Sequence, residues 1–292
     1  MHIWSQPASA QVFKHTRMWP EDSTALILHA ARGMTVSGQV CLRDVGTAFT
    51  VTGVEVAGLP DGITAKTYFA DYITYNDGVP YPDILSTKSQ THVPMNATQS
   101  VWICLSVGDA SAQTVTITVT IHTSLGDFGI DWRLVVYPVA IPEPKDSAFG
   151  HEYFLNPMGF FPKDRPCDSP PVTPFYPHIR YDEGWWAFME NYAKTLRDMR
   201  VNSLSIPVMT LLSDGGSKRL SDTEWVLDFG LFDRFVEHFL THGSFRYLAI
   251  SAIIASVDGS TIHALDENGR VIWVDIFTPE AEAWCMSVLT GN

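Results

Sequence analysis

The chain has 292 residues, of which 46% are hydrophobic and 17% charged, and its formal net charge is −13. A packed globular protein is therefore expected rather than a disordered one, and a nucleic-acid partner, which needs a basic face, is excluded. No stretch offers the roughly 18 uncharged apolar residues of a membrane-spanning helix, so no membrane partner is expected.

The N-terminus, MHIWSQPASAQVFKH, has neither a basic region nor a continuous apolar one. No signal peptide is readable, and a cytoplasmic location is the default expectation unless an upstream segment is missing. Up to about residue 142 the hydrophobic period is two. In 114–122, TVTITVTIH, Val115, Ile117, Val119 and Ile121 point one way and the threonines the other. That is the pattern of a half-buried strand. Similar runs lie at 24–30, 34–42, 48–56, 63–69, 100–107 and 129–137, and glycine-bearing turns such as Asn76-Asp77-Gly78 separate several of them. About seven or eight short strands without a helix predict an antiparallel β-sandwich over 1–142.

Residues 143–180 are read as a Pro-rich linker and first barrel segment, and 181–292 as a partial β/α barrel. The loop 156–178 is too long for an ordinary connection, and Phe160, Phe161, Phe175 and Tyr176 could line a groove or simply wrap the core. From Asp182 the period becomes helical: Trp185, Phe188, Met189, Tyr192, Leu196 and Met199 recur at spacings of three and four. VNSLSIPVM (201–209) reads as a buried parallel strand, 213–225 as a loop, and Phe232, Phe235 and Phe239 as the stripe of a second helix ended by Gly243 as a left-handed cap. FRYLAISAII (245–254) reads as a second buried strand. A hairpin follows, turning at Asp266-Glu267-Asn268-Gly269, and Thr278-Pro279 opens a third helix.

The predicted fold class is therefore mixed: an N-terminal antiparallel β-sandwich, then the first part of a (β/α)8 TIM-like barrel, incomplete in this chain. A barrel needs about 250 residues, and about 145 follow the three-proline stretch 138–147, PVAIPEPKDS. The alternative is a complete small α/β domain with a short sheet.

Two adjacent acid pairs invite a catalytic reading. Asp182-Glu183 precedes two tryptophans, but Asp182 fits a helix N-cap, Glu183 faces the positive end of the dipole, and Tyr181 with Trp186 fits a hydrophobic staple. The start of this helix is also expected on the side opposite the strand C-terminal ends, away from barrel chemistry. Asp266-Glu267 sits in DENG, an ordinary turn composition, though on the catalytic side. His238 and His242 share a helix face, read as solvated. The four cysteines, Cys41, Cys104, Cys167 and Cys285, show no metal-ligand spacing; Cys41 and Cys104 are expected as buried free thiols, and no metal is expected.

Several phrases, in order, resemble one family. HEYFLNP (151–157) joins a sandwich to a barrel, a helix ends in MRVNSL (199–204), and LDFGLFDRFVEHFLTHG follows (227–243). YPDIL (81–85) and DWRLVVYPVAIP (131–142) are similar to sandwich motifs of the same group, with Ile84 in place of its proline. Together these resemble glycoside hydrolase family 123 and its uncharacterised bacterial relatives. The resemblance implies a retaining exo-hydrolase of β-linked N-acetylgalactosamine or a similar 2-acetamido sugar, working without a cofactor. It also implies an adjacent Asp-Glu pair: the Glu as general acid/base, the Asp orienting the substrate's own acetamido group for attack.

In the family that pair follows a later barrel strand, beyond EAEAWCMSVL (280–289), and neither pair here lies at the matching place. No catalytic residue is carried over, and the chain is expected to be an inactive front fragment of such a hydrolase. The alternatives are a non-catalytic carbohydrate-binding or interaction module and a truncated gene relic. Strand C-terminal ends nominate Tyr153, Asn156, Met209, Thr210 and Ser256 as substrate-binding residues, with Trp273 stacking on a sugar face from the hairpin. Packing or capping is the competing account of each. Asn202, at the start of its strand, is read as structural. The expected partner is a carbohydrate.

Overall fold

The computed structural model describes residues 1–153, 179–250 and 259–291. They fall into two compact units, Met1–Ile141 and Pro142–Asn292. The first holds two five-stranded sheets. One runs in the order β1 (His2–Pro7), β3 (Met34–Arg43), β8 (Thr98–Val107), β5 (Ile63–Thr74), β6 (Pro80–Ser86). The other runs β2 (Leu26–Arg32), β10 (Gly126–Ala140), β9 (Gln113–Thr123), β4 (Phe49–Ala57), β7 (Thr91–Val93).

The period-two alternation does what it predicts. Ile117, Val119 and Ile121 of β9 are fully buried among Leu42, Ile103, Leu105, Trp132 and Leu134, while Thr114 and Thr116 stay outside. The indole Nε1 of Trp132 donates to Ser5 Oγ at 2.7 Å, so this buried donor is satisfied. Three features differ from expectation. β2 joins β10 in parallel, Leu26 opposite Trp132, so the sandwich is not wholly antiparallel. β1, β6 and β7 were not anticipated, because none shows a long alternation. Cys41 is buried as expected, but Cys104 is half-buried, on the outer side of β8, where it accepts from Ser37 Oγ at 3.2 Å.

The second unit contains α1 (Glu183–Asp198), β11 (Ser203–Ile206), α2 (Val208–Gly215), the hairpin β12 (Lys218–Ser221) and β13 (Glu224–Val226), α3 (Gly230–His242), β14 (Tyr247–Ile250), the hairpin β15 (Thr261–Leu265) and β16 (Val271–Asp275), and α4 (Pro279–Thr290). β11 and β14 pair in parallel, and Glu152 bridges Ser203 in parallel on the other edge of β11. Those two strands and one bridge are the parallel pairing among the described residues of this unit, and no closed barrel is seen among them.

Two apolar clusters fill this unit. Trp185, Met189 and Leu196 of α1 meet Phe235 and Phe239 of α3 over Leu204 and Ile206. Val208, Met209 and Leu212 of α2 meet Trp225, Ile262, Leu265 and Trp284. Asp182 caps α1 by accepting from Trp185 N at 2.6 Å, and Thr278 caps α4 from Ala281 N at 3.2 Å.

Four local expectations are corrected. Pro207 ends β11, and Val208–Gly215 coils into α2, because Val208, Leu211 and Leu212 repeat at three and four rather than two. The loop at 213–225 holds the hairpin β12–β13. β14 is not buried: Tyr247, Leu248 and Ile250 are 39%, 48% and 57% exposed. Gly243 has φ −97°, not a left-handed value; a Cβ there would lie 2.1 Å from the Phe245 ring, so close packing demands the glycine.

Candidate substrate-binding wall

In a parallel pair joined by a helix, chemistry gathers where the strands end. Here β11 ends at Ile206, and α2 starts at once. Near the end of α2, Asp214 points its carboxylate back into the protein, with its side chain only 6% exposed. Arg180 Nη1 donates to Asp214 Oδ2 at 2.7 Å, and the Tyr181 hydroxyl donates to the same oxygen at 2.8 Å. Burial and the bond to Asp214 push the Tyr181 phenol above its ordinary value.

This cluster corrects the expected placing of the start of α1. A crossover helix runs antiparallel to the strands it joins, so its N-terminus lies at their C-terminal ends. Arg180 and Tyr181, which lead into α1, accordingly meet the helix that follows β11. Sequence reasoning missed the cluster: its members are 33 and 34 positions apart, and Asp214 sat in a stretch read as loop.

The acid pairs are occupied by structure. Asp182 Oδ1 and Oδ2 accept from the backbone of Trp185 and Ile179, at 2.6 and 3.2 Å. Asp266 Oδ1 accepts from Asn268 N and Arg270 N, both at 2.8 Å, and those backbone bonds hold its carboxyl below the usual range. Glu267 pairs with Arg219 at 3.3 Å, and Arg219 also bonds Glu280.

Of the nominated binding residues, Asn156 and Ser256 lie outside the described residues. Tyr153 is 45% exposed and borders a gap of about 10 Å³ shared with Tyr192, Ser203 and Ser205. That volume holds no more than one water. Met209 is buried among Leu212 and Trp225, and Thr210 beside it is half-buried. Trp273, on β16, is 58% exposed, with its ring 4.3 Å from that of His263.

His238 and His242 are half-buried rather than solvated, because α1 and α3 pack there. The Trp186 ring lies 5.0 Å from His238, and burial lowers the His238 pKa. Among the described residues no three His, Cys, Asp or Glu side chains gather as a metal site, and no described helix is long and apolar enough to cross a membrane.

No family model and no curated protein matches the chain. Among solved structures, a family 123 glycoside hydrolase from Clostridium perfringens, described for glycolipid glycan hydrolysis, is similar over the whole chain. Its TM-score is 0.72 at 10% identity, and the match covers 100% of this chain and 55% of that one. The chain thus spans about half the length of that enzyme, and the likeness is one of fold. An endo-fucoidan hydrolase of glycoside hydrolase family 107 (TM-score 0.23, 17% identity, 43% of this chain and 18% of that one) is too remote to bear on function. So is an MSP-domain-like protein of Caenorhabditis elegans (TM-score 0.22, 10% identity, 37% of this chain and 94% of that one).

Proposed function

We propose that these 292 residues form the β-sandwich and the first wall of the sugar pocket of a family-123-like glycoside hydrolase. The substrate class is a β-linked 2-acetamido sugar, and the residues described here bind it without cleaving it. The observation that supports this reading is the whole-chain likeness of fold to a family 123 enzyme at TM-score 0.72. The setting of both acid pairs supports the non-hydrolytic part: Asp182, Asp266 and Glu267 are taken up by bonds, and Glu183 is exposed at the start of α1 rather than shielded in the pocket a general acid needs.

In this reading the wall is the C-terminal side of the parallel strands. Tyr153 and Thr210 offer hydroxyls, Met209 anchors α2 beneath Thr210, and Trp273 presents an apolar ring to a sugar face. Asn156 and Ser256, outside the described residues, are nominated with them from the sequence alone. The Asp214 cluster fixes the entry to α1 against α2 and so keeps the wall in place.

The test pairs an assay with a titration on the purified chain. A chromogenic 2-acetamido-β-galactoside is expected to show no turnover, and N-acetylgalactosamine oligosaccharides are expected to bind with an affinity that Trp273→Ala weakens. Turnover abolished by Glu267→Gln would overturn the non-hydrolytic assignment. Oligosaccharide binding indifferent to Trp273→Ala would overturn the wall.

A further inference from the structure

A second concave surface lies in the sandwich unit, at the tip of the β5–β6 hairpin. Gln11, Tyr75, Asp77, Tyr81, Pro82 and Asp83 line an open cleft of about 400 Å³. The hairpin is built to present them. The turn closes with Gly78 N donating to Tyr75 O at 2.9 Å, and Gly78 has φ +76°. On β6 the ladder slips by one residue: Asp71 faces Ile84 and Tyr72 faces Pro82, which leaves Asp83 as the extra residue of a bulge. Bulges re-aim side chains, and this one brings Asp83 to Tyr75.

The aromatic rings are held rather than loose. The Tyr75 hydroxyl donates to Asp83 Oδ2, and the Tyr81 hydroxyl donates to Asp77 Oδ2 at 3.0 Å. The two rings meet edge to face at 5.4 Å, and Phe13 meets Tyr81 the same way at 5.6 Å. The Gln11 and Phe13 loop is pinned from below: buried Gln39 donates to Pro7 O and Ala10 O at 2.9 and 2.8 Å, and Tyr72 donates to Val12 O at 3.1 Å. The Tyr75 and Tyr81 hydroxyl bonds lie at the surface, away from the hydrophobic core, and Tyr75 remains 50% exposed.

We infer that this cleft is a separate binding site for a neutral sugar. Three features recognise that chemistry. The fixed Tyr75 and Tyr81 rings suit the apolar C–H face of a pyranose. Asp83 Oδ1 takes no hydrogen bond among the described residues and is positioned to accept from sugar hydroxyls, while the exposed Gln11 amide both donates and accepts. Asp77 and Asp83 together disfavour anionic ligands such as sulfated or uronic-acid glycans. The choice of a sugar as ligand class rests on the carbohydrate reading above; the cleft itself does not.

The experiment titrates the 292-residue chain with tri-N-acetylchitotriose and with cellotriose, by calorimetry and saturation-transfer NMR. Wild type is expected to bind at least one of them. Tyr75→Ala and Tyr81→Ala are each expected to weaken binding about tenfold, the size of one lost stacking ring. Asp83→Asn, which leaves the strands and core untouched, is expected to weaken it several-fold, and thermal unfolding checks that each variant folds. Three results would overturn the inference: no binding of either trisaccharide, binding unchanged in the Tyr75→Ala, Tyr81→Ala double variant, or binding that appears only with calcium. If binding survives that double variant and is lost in Trp273→Ala, the cleft fails while the pocket wall stands. The reverse pattern sinks the wall and keeps the cleft.

Discussion

Asn202 is 1% exposed, and its amide ties together three stretches of chain. Nδ2 donates to Pro144 O and Phe149 O, both at 2.9 Å, and Oδ1 accepts from His151 N at 2.7 Å. Its own carbonyl accepts from Arg246 N and Tyr247 N at 2.8 and 3.0 Å, which sets the start of β14 beside β11. Asn202→Ala removes three side-chain hydrogen bonds, one buried and two partly buried, and takes the partner from Phe149 O and His151 N, while Pro144 O still accepts from Ser147 N at 3.1 Å. At about 1 kcal/mol net per bond, plus part of the desolvation cost of the orphans, the loss is about 3–5 kcal/mol. Asn202→Asp is the sharper probe because it keeps the shape. One carboxylate oxygen still accepts from His151, but the other now faces two carbonyls. The carboxyl is then held protonated, with its folded pKa above the unfolded value of about 3.9. Between those two values the folded state binds the extra proton, so stability falls as pH rises. Urea unfolding at pH 4.5 and pH 8 is the assay, with amide exchange at Arg246 and Tyr247 as the local readout. The Asp variant is expected closest to wild type at the acid end. An Asp variant as stable as wild type at pH 8 would refute the bonding scheme.

Two further outcomes follow from the same structure. Tyr181 keeps its proton above the unfolded value of about 10, so it contributes stability that is present below that pH and is lost as pH rises through the folded value. Asp214→Asn should move that tyrosine's titration back toward the ordinary range, read by NMR of labelled tyrosine; no movement would disconnect the two. Gly62 has φ +80°, and a Cβ would stand 2.8 Å from Asp109 O, whereas Gly78, at φ +76°, has nothing within 4 Å. Gly62→Ala should therefore cost more than the roughly 1–2 kcal/mol of a left-handed alanine, and Gly78→Ala about that alone, measured as midpoints of chemical unfolding. Equal costs would mean that the strand ends around Asp109 yield.

Legibility in the sequence followed burial. β9 declared itself because alternate residues meet opposite environments, and Thr278-Pro279 declared α4 because capping chemistry is local. β6 did not, since its burial along PYPDILS runs half-buried to exposed without alternation; only pairing with β5 makes it a strand. α2 was hidden for another reason. SIPVMTLL is apolar except at Ser205 and Thr210, and a short apolar run reads equally as strand or helix until the proline is given its place as the strand's end. The Arg180, Tyr181 and Asp214 cluster had no local signal, because two segments far apart in sequence supply it and only the fold brings them together. Of the fold, the sandwich and its core were readable.

The corrected direction of α1 sharpens the exclusion of Asp182-Glu183. Position argued against the pair only while the start of α1 was placed on the wrong side. With that start beside the helix that follows β11, position favours the pair, and chemistry has to decide. Both oxygens of Asp182 accept backbone N–H groups of Trp185 and Ile179, which is what an N-cap carboxylate does. Both oxygens are committed to those bonds, which keeps the carboxylate from turning toward a sugar. Glu183 is exposed at the first turn of α1. A general acid needs the opposite surroundings, a site that favours the neutral carboxyl near pH 7. The same reasoning covers Asp266, whose carboxyl the turn holds low. Asp182, Asp266 and Glu267 are excluded by the bonds their oxygens make and Glu183 by its exposure, and that argument survives the change of side.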